Sequence, residues 1–173
     1  MKLSSNQSLA GILEPVFAIR TEDDLGIGDT GGVRQMIDWC HRHHLGIFQM
    51  LPINEIGDDN SPYNAISSLA IEPTTIAVSP RHIPDLTPAT FKALAKPKLL
   101  DGLRRGPVDY PRVKALKRTL LEAAFKVFLR RHFNRDTGRA LQFRTFLMEN
   151  ADGLSDYAVL RLWREENHNC PPG

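Results

Sequence analysis

Two short apolar runs lie in the first third of the chain, and each predicts a β-strand. Residues 11–20 are almost continuously apolar and rich in branched side chains, whereas residues 47–53 are too short for an ordinary helix and do not alternate with period two. Such runs are typical of parallel strands that are buried on both faces. We therefore expect strands at residues 12–19 and 47–53, with Pro15 at a position that needs no ladder donor. Residues 74–79 predict a further short strand or extended segment.

Apolar residues with helical spacing predict the remaining elements. Val33, Met36, Ile37 and Cys40 define an amphipathic helix between the two strands, and Asp29 or Thr30 is its expected N-cap. Pro111 begins the clearest helix. Its apolar stripe consists of Val113, Leu116, Leu120, Ala124, Val127 and Phe128, and its other faces carry Lys114, Lys117, Arg118, Arg130 and Arg131. Shorter helices are expected at residues 88–95, 140–150 and 155–167.

We expect the stripe of this long helix to pack against the helices near residues 143–147 and 160–163. These helices would form a subdomain with a core of its own, in which Leu120 is fully enclosed. Proline recurs throughout residues 80–111, so that stretch should consist of loops and short helices.

Composition narrows the class of protein. With 173 residues, 42% of them hydrophobic, the chain can bury a core of one domain or slightly more. No run approaches the roughly 20 apolar residues of a membrane span. The first residues lack the apolar core of a signal peptide, so the expected location is cytoplasmic and no membrane partner is expected. The two cysteines, Cys40 in a predicted helix and Cys170 in a proline-rich tail, indicate reduced thiols rather than a disulfide.

The net charge of +2 conceals a strong segregation of charge. Residues 1–91 contain 5 of the 22 lysines and arginines and 11 acidic residues, whereas residues 92–144 contain 15 basic residues and 4 acidic ones. A basic helical segment could bind nucleic acid. No RRM, KH or zinc-finger pattern accompanies it, so solvated helix faces are the preferred interpretation and no nucleic-acid partner is expected. Salt-dependent retention on nucleic acid would favour the alternative.

Two further patterns suggest cofactors and are rejected. The segment Gly26-Ile-Gly-Asp29 lacks the third glycine of a dinucleotide fingerprint, and Asp29 stands where a pyrophosphate would need room. His41 and His44 share a helix face, but no cysteine or acid with metal-ligand spacing lies nearby in sequence. Cationic residues in a last helical turn favour the helix dipole instead. We expect neither a metal nor a cofactor.

The polar segment after the second predicted strand is the candidate site. Loops that leave the carboxyl ends of parallel strands form the ligand sites of β/α proteins. The segment offers amides, carboxylates and hydroxyls around one aromatic ring: Asn54, Glu55, Asp58, Asp59, Asn60, Ser61, Tyr63 and Asn64. This mixture suits a sugar and lacks the lysines or glycines that a phosphate requires. The structural alternative is an Asx turn in which Tyr63 is merely half-buried.

Four separated motifs occur here in one order: Gly26-Ile-Gly-Asp29, Phe48-Gln-Met-Leu-Pro52, Asn60-Ser-Pro-Tyr63 and the following Ser67. Together they resemble the N-terminal part of the 4-α-glucanotransferases, glycoside hydrolase family 77, which include the amylomaltases and disproportionating enzymes. Weaker matches occur at Val108-Asp-Tyr110 and Asp156-Tyr-Ala158. The chain departs from the family at residues 53–57, Ile-Asn-Glu-Ile-Gly, where the family often has Pro-Leu-Gly after Leu-Pro.

The resemblance implies an α/β fold, namely the N-terminal part of a (β/α)8 TIM barrel with an inserted, mostly helical subdomain. Residues 1–80 would be the first β/α units with the donor-site loop, and residues 81–173 the inserted subdomain. The implied reaction transfers α-1,4-glucan segments between maltooligosaccharides or starch through a covalent glycosyl-enzyme. The family places Tyr63 in the donor sugar site, next to the residue being transferred, with Asn60, Ser61 and Pro62 shaping the loop.

A retaining transfer needs two carboxylates on opposite sides of the glycosidic bond. The acidic residues near the loop, Glu55, Asp58, Asp59 and Glu72, match none of the family's catalytic motifs, which belong to later barrel strands. A complete barrel takes about 250 residues. We therefore expect an N-terminal fragment without catalytic residues, which is inactive alone and self-associates through unpaired strands. The other interpretation left open is a stand-alone α-glucan-binding module, which millimolar binding of maltose would favour.

Overall fold

The computed structural model describes residues 8–57 and 59–166. Two strands are present, β1 (Gly11–Leu13) and β2 (Ile47–Gln49), and the helix α1 (Thr30–Arg42) connects them. The helices that follow are α2 (Pro88–Leu94), α3 (Pro97–Arg104), α4 (Tyr110–Arg131), α5 (Gly138–Glu149) and α6 (Ala151–Glu166). Short 3-10 turns lie at Val16–Ala18, Pro73–Thr75 and Phe133–Arg135.

Strands β1 and β2 pair in parallel, with Gly11 opposite Ile47 and Leu13 opposite Gln49. The parallel pairing expected from the apolar runs is confirmed, but both strands are much shorter than predicted. Pro15 precedes the 3-10 turn Val16–Ala18, so the first run leaves the extended conformation there. The expected burial on both faces is also wrong for this chain, because Leu13 is 52% exposed and Ile47 is 43% exposed. Within the described residues the sheet has only these two strands, so the outer edge of each strand pairs with no further strand of the sheet.

Residues 74–79 form no strand in the described structure, and only the later part of this segment is extended, which was the other alternative. Its first residues belong to the 3-10 turn Pro73–Thr75, and the extended conformation begins only at Ile76, whose ψ is 132°. Glu72 and Pro73 explain the difference, because a side-chain cap followed by proline starts a helical turn rather than a strand.

Helix α1 begins as the sequence predicts. The Oδ1 atom of Asp29 accepts hydrogen bonds from the backbone N–H of Gly31 at 2.9 Å and of Gly32 at 3.4 Å. The preceding glycines allow close packing on the 3-10 turn, since a Cβ atom at Gly28 would lie 2.0 Å from the carbonyl oxygen of Val16. The glycine-rich loop therefore has a packing role, and the N-cap carboxylate occupies the helix terminus.

The main core lies around helix α4, and it contains other residues than the sequence predicts as partners of that helix. The buried side chains of this core are Leu25, Ile27, Val78, Leu86, Ala95, Leu103, Val113, Leu116, Leu120 and Ala124. The first half of the α4 stripe thus packs in a cluster with residues between Leu25 and Leu103. Only Phe128 follows the prediction, with its ring centroid 5.3 Å from that of Phe143.

The chain divides into two compact units, Met1–Ala124 and Phe125–Gly173. The first contains the sheet, α1 to α3 and the main core. The second contains the end of α4, then α5 and α6, with an aromatic cluster of Phe128, Phe133 and Phe143. The chain kinks at Asp152 and Gly153, where the sequence places the start of the last helix. Within residues 8–57 and 59–166, no helix combines the length and hydrophobicity that crossing a bilayer requires.

Candidate functional site

The polar loop, residues 53–72, follows β2 and folds back on itself as an irregular hairpin. Isolated antiparallel bridges join Asn54 to Ile71 and Ile56 to Ala65. The backbone N–H of Glu55 donates to the carbonyl of Ala70 at 2.8 Å, and that of Ile66 donates to the carbonyl of Glu55 at 2.8 Å. The stem of the hairpin is therefore ordered by its own backbone, and its tip contains the predicted site residues.

The tip is a tight turn built by short polar side chains. Asp59 accepts hydrogen bonds from the Ser61 N–H at 3.2 Å and from the Asn64 side-chain amide at 2.9 Å. The Ser61 hydroxyl accepts one from the Tyr63 N–H at 3.3 Å. Asn60 adopts a left-handed conformation, with φ of 55°, which asparagine tolerates better than most residues. The structure thus brings Asn60, Ser61, Pro62 and Tyr63 together; Asp58 lies outside the described residues.

The Tyr63 side chain is 75% exposed, so the half-buried ring of the structural alternative is not observed. An exposed aromatic ring that rises from a rigid polar turn provides a flat surface for the apolar face of a sugar ring. The amides and hydroxyl beside it provide hydrogen-bond donors and acceptors for sugar hydroxyls. The tip therefore has the components of a carbohydrate contact.

The acidic residues of the loop are engaged in structure. The side-chain hydrogen bond from Asn64, together with the Ser61 N–H, lowers the pKa of Asp59 below its usual value. Asp59 is therefore ionised at neutral pH and can accept hydrogen bonds, but it cannot serve as a proton donor. Glu55 and Glu72 are 3% and 4% exposed, which leaves no surface for a glycosidic oxygen to approach.

Glu72 closes the base of the loop, which the sequence did not indicate. Its Oε2 atom accepts a hydrogen bond from the Ile56 N–H at 3.2 Å. Its Oε1 atom accepts bonds from the Thr74 N–H at 3.2 Å and the Thr74 hydroxyl at 2.9 Å. The Glu72 N–H donates to the carbonyl of Ile53 at 2.9 Å. The signal available in sequence was the order Glu-Pro-Thr, in which a capping side chain precedes a proline at the first helical position.

A small cavity of about 30 Å³ lies beside the loop. Phe17, Pro62, Glu72 and Tyr110 are among its lining residues. Burial raises the pKa of the Tyr110 phenol, and the negative charge of Glu72 raises it further. Tyr110 therefore keeps its proton at neutral pH and retains a hydroxyl that can donate a hydrogen bond.

Lys117 on α4 is buried beneath this region, with 1% of its surface exposed. Its Nζ atom donates to the carbonyl oxygens of Thr74 at 2.5 Å and Ile76 at 2.8 Å, and lies 3.6 Å from Oδ2 of Asp29. Burial lowers its pKa to about 8, although Asp29 works in the opposite direction. The prediction that Lys117 lies on a charged outer face is wrong. It occurs four positions after Val113 and three before Leu120, so the apolar spacing could have identified it.

A larger cavity of about 410 Å³ lies near the start of α1. Polar and charged side chains from α1 and from the segment after residue 77 line it, including Arg34, Asp38, Arg81 and His82. No aromatic side chain other than the His82 imidazole is among its lining residues. The polar loop is therefore the better candidate for carbohydrate, because it supplies an exposed phenol ring.

A parallel strand pair with a crossover helix is typical of α/β proteins, in which ligands bind in the loops that follow the strands. Residues 14–171 match the 4-alpha-glucanotransferase family, glycoside hydrolase family 77. The chain belongs to this family, as the motifs at residues 26–63 predict.

Curated relatives agree with this assignment. The chain is 34% identical to a 4-alpha-glucanotransferase of Chlamydia caviae, over 87% of this chain and 27% of that protein. It is 30% identical to the enzyme of the same name from Chlamydia pneumoniae, over 98% of this chain and 31% of that protein. The 4-alpha-glucanotransferase DPE2 of Oryza sativa is 30% identical over 90% of this chain and 16% of its own length. The chain thus spans less than a third of these relatives.

The fold is similar to that of an amylomaltase from Streptococcus agalactiae in complex with acarbose, with a TM-score of 0.69 and 21% sequence identity. The match covers 95% of this chain and 31% of the amylomaltase. The short parallel sheet and the surrounding helices therefore form an arrangement that also occurs within an amylomaltase.

Proposed function

We propose that the chain is the part of a retaining 4-α-glucanotransferase that supplies the donor-site loop. The complete enzyme would transfer α-1,4-glucan segments between maltooligosaccharides or starch through a covalent glycosyl-enzyme. Membership of the family and the shared name of the relatives support this reaction. The acarbose complex of the structural neighbour supports an α-glucan as substrate.

In this proposal, β1 and β2 are the first two strands of a (β/α)8 barrel and residues 1–80 form its opening units. Residues 81–173 would be the helical insertion. The parallel register of β1 and β2 and the crossover through α1 support this arrangement. The polar loop follows the carboxyl end of β2, which is the end of a barrel at which substrates bind.

The exposed ring of Tyr63 is the observation on which the proposal depends. The ring is 75% exposed and lies next to amide and hydroxyl groups in sequence, so a sugar ring can reach its face. In the proposed site the phenol ring packs against the donor sugar, Asn60 and Ser61 shape the turn, and Pro62 restricts its backbone. The ionised Asp59 offers an acceptor for sugar hydroxyls.

The catalytic carboxylates would come from parts of the enzyme outside this chain. Retention requires a nucleophile and a general acid about 5 Å apart on opposite sides of the bond. Among the described residues of the loop, the two buried glutamates and the hydrogen-bonded Asp59 do not provide such a pair. The role of the chain is therefore to bind and orient the sugar.

Replacement of the Tyr63 ring tests this role. In the complete enzyme, Tyr63→Ala should lower kcat/KM for disproportionation of maltotriose about 10- to 100-fold, equivalent to roughly 1.4–2.8 kcal/mol of lost transition-state binding. The melting temperature should change little, because the ring makes few contacts within the chain. Tyr63→Phe is the matched control: it keeps the ring and should retain most of the activity. A melting temperature that falls together with activity would show that the ring is a core residue.

A further inference from the structure

We propose that Glu72 is a positioning residue that anchors the stem of the polar loop and thereby orients Tyr63 toward the donor sugar. This inference rests on the proposed function of the loop. It concerns a side chain that is almost fully buried and does not touch the substrate, so its effect would pass through the backbone of the loop.

The contacts of Glu72 place it between a fixed segment and a segment that carries the site. On one side, both Thr74 donors bind its Oε1 atom, and Lys117 holds the carbonyls of Thr74 and Ile76. On the other side, its Oε2 atom accepts from the Ile56 N–H. The carboxylate thus joins the core around α4 to the incoming stem of the loop.

Ile56 lies where the stem meets the tip. It bridges Ala65, and the next residue, Gly57, donates from its N–H to the carbonyl of Asn64 at 3.3 Å. Tyr63 precedes Asn64 directly. A shift of Ile56 would therefore move both sides of the turn that presents the ring, whereas the internal bonds of the tip would persist.

The two contacts of the Glu72 carboxylate require a side chain of the length of glutamate. An aspartate at position 72 would keep the negative charge and could still cap the 3-10 turn through the Thr74 N–H, since aspartate is a favoured N-cap. Its side chain is one methylene shorter, and the bond to the Ile56 N–H is already 3.2 Å long, so the carboxylate would not reach that N–H. Glu72→Asp therefore removes the bond to the loop and retains the cap.

Thr74→Val provides a matched control at an equally buried position. The valine has nearly the same shape and deletes only the hydroxyl that donates to Oε1 of Glu72. The bond from the Ile56 N–H to Oε2 would remain. Both variants perturb the same buried cluster, so a general loss of stability should affect them similarly, whereas a positioning role should separate them.

The test uses the complete enzyme that contains this chain, with two readouts. Glu72→Asp should accelerate hydrogen exchange of the Ile56 amide at least about tenfold and raise KM for maltotriose about tenfold, with kcat within about twofold. KM should rise while kcat stays nearly constant, because a loosened loop lowers the fraction of molecules that can bind substrate but does not change the chemistry after binding. Thr74→Val should change neither value by more than about twofold.

Several results would overturn the proposal. The first is that hydrogen exchange of the Ile56 amide is unchanged in Glu72→Asp. The second is that this exchange becomes faster in Glu72→Asp while KM for maltotriose stays the same. Equal effects of the two variants on KM would assign Glu72 to general stability. Tyr63→Ala is assayed alongside: if it leaves transfer unchanged, the donor-site function itself fails and the positioning role falls with it. The exchange of Ile56 distinguishes these cases, because it does not depend on transfer activity.

Discussion

At the scale of single residues, Lys117 shows how one buried charge can connect three segments of a chain. It contacts the N-cap of α1 through Asp29 and the turn after the polar loop through two carbonyl groups. A buried ammonium is tolerated only where such partners replace water. The partners stabilise the charged form, but burial still depresses the pKa to about 8.

This depressed pKa predicts an unusual dependence of stability on pH. The pKa of Lys117 is about 8 in the folded chain and 10.5 in the absence of structure, so the unfolded state binds more protons between those values. The free energy of unfolding contributed by Lys117 should therefore increase as pH rises from about 8 to 10.5, by at most about 3 kcal/mol.

Lys117→Met removes this titration and leaves Asp29 without its buried cation. Its free energy of unfolding should be lower than that of the natural chain at pH 7, and the difference should widen toward pH 10.5. Urea unfolding at concentrations at which the chain is monomeric measures this difference. Lys126→Met, at an exposed position of α4, should remain within about 0.5 kcal/mol of the natural chain at pH 7. A difference for Lys117→Met that is constant across pH would contradict the buried titration.

Individual residues also show what sequence could reveal. Asp29 was identifiable as an N-cap, because that signal depends on neighbouring residues. The cluster of Asn60, Ser61, Pro62 and Tyr63 was equally local. Local signals could have indicated that Lys117 is buried and that Glu72 is a cap, but not their partners, which lie 43 and 16 positions away, because hydrogen bonds of that range depend on the completed fold.

At the scale of elements, helix α4 shows what the spacing of apolar residues can predict and what it cannot. The spacing of Val113, Leu116 and Leu120 correctly predicts a helix with one buried face. It carries no information about which element covers that face. The main core pairs these three residues with others between Leu25 and Leu103, whereas Phe128 packs against Phe143 as expected. The strands show a different limit: the apolar runs continue past Leu13 and Gln49, but the paired strands end there, and a 3-10 turn follows Pro15.

The location of Leu120 in the main core predicts the consequence of its truncation. Leu120 is fully buried, so Leu120→Ala should lower the free energy of unfolding by about 2–5 kcal/mol through lost contacts and a residual cavity. Leu141→Ala on α5, where the side chain is 64% exposed, is the control and should cost less than about 0.5 kcal/mol. Urea unfolding of both variants tests the assignment, and equal losses would argue against a core around α4.

At the scale of the whole molecule, the chain spans only a small part of the length of its relatives in the family. It spans 27% to 31% of the Chlamydia relatives. Its two strands present the exposed apolar residues Leu13 and Ile47, and the exposed Met50 follows directly after β2. Sheet edges and apolar surface of this kind promote association unless other elements cover them.

We expect the isolated 173-residue chain to self-associate through β1 and β2. Sedimentation should show dimers or larger species, and Ile47→Lys should shift the chain toward monomer, because a lysine on an edge opposes strand pairing. Leu162→Lys on α6 is the control, since it removes a comparably exposed leucine away from the sheet.

The same preparation should release no glucose from maltotriose, because the described loop residues provide no pair of opposed carboxylates. A monomeric natural chain would contradict the association, and a chain that produces glucose would contradict the proposed location of the catalytic acids. Salt-dependent binding of the basic helices to nucleic acid can be examined with this preparation as well.

The contacts of Lys117 also have a consequence during translation. Lys117 follows Thr74 by 43 positions, so at about 5–20 residues per second the ribosome adds this lysine roughly 2–9 seconds after the threonine. During that interval the nascent chain contains Leu25 and Ile27 but not yet the whole first half of α4, with which they form the main core. The order of synthesis therefore creates a period in which these apolar side chains lack their native partners, and its length is determined by the position of α4 in the gene.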